Sequence, residues 1–175
     1  MGVSLCFLTV EKGFYPMKAV FFDLDGTLID SRLDLTAAVN HTRRDLGMDD
    51  VLANVGRGAK YLLENSIPGC GPGFEKLWPV FSGHYVEHML DSTVLYPGVA
   101  GTLAELGRRG WKMGGNTNKP SFATGKILEH FGIARHFGAA VIAGGDCAEM
   151  KPSAMPLREC AARAGHVLDG SDWMV

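Results

Sequence analysis

The sequence predicts an α/β fold: a parallel sheet with helices on both faces and an α-helical cap inserted after the first strand. Three observations carry this reading. Ala19-Val20-Phe21-Phe22 is an unbroken apolar run of the kind a strand buried on both faces requires. Beyond residue 95, short apolar runs alternate with amphipathic stretches closed by glycine. Residues 31–94, by contrast, show helical patterning and no convincing strand. The 175 residues are 46% apolar and 21% charged, which suits one globular domain with an inserted subdomain.

The first strand ends abruptly in Asp23-Leu24-Asp25-Gly26-Thr27. Side chains alternate along a strand, so Asp23 and Asp25 project to one side while Leu24 points away. Two carboxylates then share the carboxyl end of a strand, where open α/β sheets build their sites. Gly26 lets the chain turn without a Cβ clash. The same residues also suit an ordinary turn after a strand. A calcium loop is disfavoured, because position twelve from Asp23 is Asp34 and the intervening oxygen ligands are missing.

Asp30-Ser31 is placed to cap a helix running to about Leu46, ended by Gly47. Val55-Gly56-Arg57-Gly58-Ala59 reads as a glycine-flanked turn into a helix over roughly Ala59 to Asn65. Pro68 to Gly73 reads as a loop and Phe74 to Leu90 as a longer helix. His84 and His88 stand at i, i+4, a spacing able to hold a metal, but without a convincing further ligand they read as an exposed helix face. Tyr96-Pro97-Gly98 returns the chain to the main domain, and Val99 to Arg109 forms an amphipathic helix. Residues 111–116 read as a strand ending in Thr117-Asn118, weakened by Gly114-Gly115, with a helix from about Ser121 to Phe131. Ala139 to Ala143 is a short strand, Gly144-Gly145-Asp146 a turn, and Ser153 to Ala164 a helix following Lys151-Pro152. Asp169-Gly170-Ser171-Asp172 is a turn into a strand opening near Trp173.

The apolar strand followed by Asp-x-Asp-Gly-Thr resembles the first signature of the haloacid dehalogenase superfamily. Thr117-Asn118-Lys119-Pro120 is similar to its second signature in the phosphatase variant, and Lys151, after the Gly-Gly-Asp turn, to its third. The resemblance covers about residues 17–175. It implies a Rossmann-like core over 17–30 and 95–175 and a helical cap over 31–94. It also implies that Asp23 is a nucleophile forming an aspartyl-phosphate and that Asp25 is the acid and then the base. Thr117 and Asn118 would donate to phosphoryl oxygens, and Lys151 would offset charge. Magnesium (Mg2+) would be held at Asp23 and Asp25. The second aspartate argues against dehalogenation. For Thr117 and Asn118 the residues alone also fit a helix cap, and Lys-Pro alone carries little.

Asp30-Ser31, Asp34-Leu35, Val55-Gly56-Arg57-Gly58, Tyr96-Pro97-Gly98 and Thr117-Asn118-Lys119-Pro120 together resemble bacterial phosphoglycolate phosphatases with a helical cap. That implies a small phosphorylated substrate, with pyrophosphate or a sugar phosphate as alternatives. Arg57 is a candidate for a substrate carboxylate, although a solvated arginine at a helix start fits equally. The family's acidic fourth signature would begin beyond Val175, so the chain reads as truncated at its C-terminus, with the last strands missing. An inert fragment or a phospho-ligand-binding remnant is therefore the reading from another class.

A net charge of −2 gives no pull toward nucleic acid or a membrane surface. Cys6, Cys70, Cys147 and Cys160 lack the paired spacing of a zinc site or disulfide scaffold. A cytoplasmic setting is the default, and no apolar run approaches transmembrane length. Residues 1–16 lack the basic region of a signal peptide, and Met17 reads as the natural start. Composition leaves monomer and homodimer equally open.

Overall fold

The structure, a computed structural model, describes residues 18–51 and 58–175. The expectations for residues 1–16, Met17 and Arg57 lie outside the described residues. Strand β1 spans Ala19–Phe22, and β2 Ile29–Asp30. Three helices follow: α1 over Arg32–Asp45, α2 over Ala59–Ser66 and α3 over Cys70–His88. After β3 (Val94–Leu95) the chain runs through α4 (Val99–Arg108), β4 (Lys112–Pro120), α5 (Ser121–His130) and β5 (Val141–Gly144). It closes with α6 (Met155–Arg163) and β6 (Trp173–Met174).

The main sheet has the order β5-β4-β1-β6, and each of its neighbouring pairs is parallel. Alternation in β1 feeds two separate cores. Val20 and Phe22 enter the larger one, with Leu103 of α4 and Ile127 of α5, while Ala19 and Phe21 pack with Cys160 and Ala161 of α6. The sheet is thus covered on both faces, which is why β1 reads as one continuous apolar run. Among the described residues, no helix is long and apolar enough to cross a membrane.

Several boundaries differ from the sequence expectations. Residues 68–73 are not simply a loop, since α3 begins at Cys70. Pro72 falls in its first turn, where a missing N–H costs nothing because those donors have no intrahelical partner. A short strand escaped notice within and beside the helical stretch: β3 pairs antiparallel with β2, joining the chain that leaves the sheet to the chain that returns. The β4 strand is also longer than expected and tolerates Gly114 for a definite reason. A Cβ there would stand 2.5 Å from Cys160 Sγ and 2.8 Å from Phe21 Cδ1, so the glycine lets α6 lie close against the sheet.

Candidate active site

Parallel strands deliver their carboxyl ends to one edge, and three of them carry the site. Asp23 and Asp25 follow β1, Thr117 to Lys119 close its neighbour β4, and Lys151 follows β5. Gly26, at φ +82°, turns the chain directly after the second carboxylate. Asp23 Oδ1 accepts the Leu24 N–H at 2.7 Å, and its Oδ2 lies 2.8 Å from Lys151 Nζ. Both of these side chains keep some contact with solvent, with 28% and 21% of their surface exposed.

Asp25 has a different ammonium. Lys119 Nζ lies 2.9 Å from its Oδ1 and 3.2 Å from its Oδ2, and the lysine side chain is only 2% exposed. Ser31 Oγ donates to the same Oδ1 at 2.5 Å. The sequence pointed to Ser31 as a helix cap; it makes no such bond, and holds Asp25 instead. Giving each carboxylate its own cation lets two anions stand two residues apart on one edge. Lys119 was missed as a site residue. The signal was present, because strand alternation puts Lys119 on the same face as Thr117.

Thr117 is buried, and its Oγ1 accepts the Lys119 N–H at 3.2 Å, which leaves the hydroxyl proton available to another acceptor. The Asn118 side chain is engaged within the protein. Its Nδ2 donates to the Lys151 carbonyl at 3.1 Å, and its Oδ1 accepts the Lys151 N–H at 2.9 Å. This reciprocal pair ties the Lys151 loop to the end of β4, so the Asn118 side chain holds the lysine's backbone. Asp172 also has structural partners: its Oδ1 meets His166 Nε2 at 2.8 Å and accepts the Ala19 N–H at 3.3 Å.

A cavity of about 20 Å³ adjoins Asp25 and Lys119 and is otherwise walled by apolar side chains of α1, α2 and α3, together with Tyr85 and Phe122. The ring of Tyr85 faces Lys119 Nζ at 5.0 Å, a cation–π contact from α3 to β4. Burial raises the phenol's pKa, and the carboxylates of Asp25 and Asp34 push it further the same way.

Of the two carboxylates expected to hold a cation, Asp25 is engaged by Lys119 and Ser31, while Asp23 keeps some exposure. Among the described residues, no group of three or more His, Cys, Asp or Glu is arranged to hold a metal. The set fits magnesium, a hard ion that commonly takes one or two carboxylates and completes its octahedron with waters and substrate phosphate. It does not fit a soft or zinc-type site. His84 and His88 instead join His41 in a stack, with ring centroids 4.2 and 4.4 Å apart.

A family model described as haloacid dehalogenase-like hydrolase matches residues 20–169. A phosphoglycolate phosphatase of Chromobacterium violaceum is 37% identical over 161 residues, covering 85% of this chain and 72% of its own. One from Cereibacter sphaeroides is 35% identical over 157 residues, covering 83% and 71%. Among solved structures, a predicted phosphoglycolate phosphatase from Haemophilus somnus superposes with a TM-score of 0.78 at 28% identity, covering 88% of this chain and 74% of that one.

Proposed function

Since the chain belongs to the haloacid dehalogenase-like hydrolase family, and within it is a phosphatase, we propose that it is a cytoplasmic, magnesium-dependent enzyme that hydrolyses 2-phosphoglycolate through an aspartyl-phosphate. One observation carries the assignment of roles: two carboxylates at the end of β1, each paired with a different lysine, Asp23 with Lys151 and Asp25 with Lys119.

The partly exposed Asp23 is the nucleophile. Its carboxylate oxygen forms a bond to phosphorus while the ester P–O bond breaks, and the departing oxygen takes a proton from Asp25, which enters this step as the carboxylic acid and leaves it as the carboxylate. In the second step a water attacks the aspartyl-phosphate, Asp25 accepts the water's proton, and Asp23 and inorganic phosphate are released. The Lys151 ammonium offsets charge on the phosphoryl oxygens and on Asp23 in both steps. Thr117 Oγ1 donates to a phosphoryl oxygen, and Asn118 keeps Lys151 in place. The Asp23 carboxylate and the Asp25 main chain would hold magnesium, which would supply further charge neutralisation.

The test is magnesium-dependent hydrolysis across a panel of 2-phosphoglycolate, pyrophosphate, sugar phosphates and p-nitrophenyl phosphate. The expected result is the highest kcat/KM with 2-phosphoglycolate and no turnover in Asp23→Asn, whose amide is a feeble nucleophile. Substantial turnover by Asp23→Asn, with deamidation excluded, would overturn the role of Asp23. A stronger preference for another ester would overturn the substrate.

A further inference from the structure

Among the described residues, three buried side-chain atoms have no hydrogen-bond partner in the protein: Thr36 Oγ1, Asn116 Oδ1 and Tyr85 Oη. A buried polar group left unpaired is costly, and each one calls for an explanation. Thr36 lines none of the cavities beside the site, and Asn116 lines an apolar one of about 10 Å³. Tyr85 differs from both. It is 2% exposed, and it lines the same cavity as Asp25 and Lys119.

The position of this cavity defines what could enter it. Asp25 meets the ester oxygen as it departs, so the atoms just beyond that oxygen fall in the space Asp25 lines. The rest of the lining is Gly58, Ala59, Pro120 and the side chains of Leu35, Leu62, Phe81 and Phe122, none of which carries a polar side chain. The polar side chains lining the space are Tyr85, whose buried hydroxyl is able to donate, Lys119 and Asp25 itself. An apolar leaving group would leave the hydroxyl unpaired; any oxygen could satisfy it, and an anionic one would also lie beside the Lys119 cation.

We propose that the Tyr85 hydroxyl and the Lys119 ammonium form the receptor for an anionic oxygen on the leaving group, a carboxylate lying one or two bonds beyond the ester oxygen. The inference rests on the phosphatase reading above and names the group in α3 that selects the substrate. Tyr85 is a specificity-determining residue in this scheme, and its unpaired state without substrate is a cost in stability retained for recognition.

The test compares 2-phosphoglycolate with ethyl phosphate, an alkyl ester of similar size that lacks the carboxylate, in the intact chain and in Tyr85→Phe. Wild-type enzyme should favour 2-phosphoglycolate in kcat/KM. In Tyr85→Phe that preference should fall by about 10- to 100-fold, the range for one hydrogen bond to a charged group. The melting temperature should hold or rise, because an unpaired buried hydroxyl has been removed. An unchanged ratio would overturn the proposal and leave the hydroxyl bonded to no more than a trapped water. An equal loss with both esters would overturn it in favour of a structural role. If wild type hydrolyses ethyl and p-nitrophenyl phosphate without preferring the carboxylate ester, the proposal falls and the phosphatase reading stands. If it hydrolyses no phosphate ester, both fall.

Discussion

Lys151 approaches Asp23 from a loop, and a lysine on a loop is useful only if its backbone is held. Asn118 does this with two bonds to the Lys151 main chain. Lys151→Ala is expected to lower both phosphate affinity and kcat, and Lys151→Arg to rescue poorly, since a broad planar fork does not replace a compact point charge. Asn118→Ala leaves the lysine in the chain but frees its loop. It should cost about 1 kcal/mol of stability and lower kcat by roughly tenfold, as misplaced catalytic groups do; steady-state kinetics and denaturant titration check both. An Asn118→Ala enzyme with wild-type kcat would show that the loop needs no such tie. At this scale the placing of Asp23, Asp25, Thr117 and Lys151 at the carboxyl ends of parallel strands could be read from the sequence, because strand alternation and motif spacing are local. The partners of Asn118 and Lys119 could not, because each reaches across the fold, and Ser31, whose partner Asp25 is only six residues away, reads equally well as a helix cap.

Elements were easier to find than their ends. The strand β1 declared itself through four buried residues, but α3 began four residues before its expected start, because Gly71-Pro72-Gly73 carries the composition of a loop while the first helical turn tolerates it. Gly114 reads from the sequence as a weakness of β4, and in the fold it is a packing requirement. Gly114→Ala would drive its methyl into Cys160 Sγ and Phe21. It should destabilise by about 1–3 kcal/mol, as overpacking does, read as a lower denaturation midpoint, whereas pairing it with Cys160→Ala should recover part of the loss. The contact between α1 and α3 has a pH signature of its own. Burial lowers the pKa of His84, and the nearby His41 and His88 lower it further. A histidine with a depressed folded pKa is protonated more readily when unfolded, so stability should fall as pH drops through about 6.5, the ordinary histidine value. Thermal melts at pH 7.5 and 5.5 should show this loss, and His84→Gln should flatten the slope. A slope unchanged in His84→Gln would place the titration elsewhere.

On the scale of the molecule, the helical stretch and the sheet were legible as separate segments, while their union was not. The larger core runs without a break from Leu62, Leu63, Phe81 and Tyr85 of α2 and α3 to Val20 and Phe22 of β1 and Ile127 of α5. The two chain crossings between these regions are also joined, through the β2–β3 pair and through Asp34. This carboxylate is 3% exposed, and it accepts the Ser92 N–H at 3.0 Å, the Thr93 N–H at 2.8 Å and the Thr93 hydroxyl at 2.7 Å. It therefore ties the start of α1 to the strand that returns. Asp34→Ala removes the acceptor and leaves buried donors unmet, at a cost of about 3 kcal/mol for a carboxylate with several such bonds. A shared core means the loss should spread over the whole chain. Denaturant unfolding should keep one transition and an unchanged slope, with only its midpoint lowered. Hydrogen exchange should quicken in α1 and α3 together with β1. Because Tyr85 and Lys119 meet across this junction, KM for 2-phosphoglycolate should rise more than kcat falls. A separate early transition confined to residues 59–88 would instead show that the helical segment unfolds on its own, and that the continuous apolar core does not couple it to the sheet.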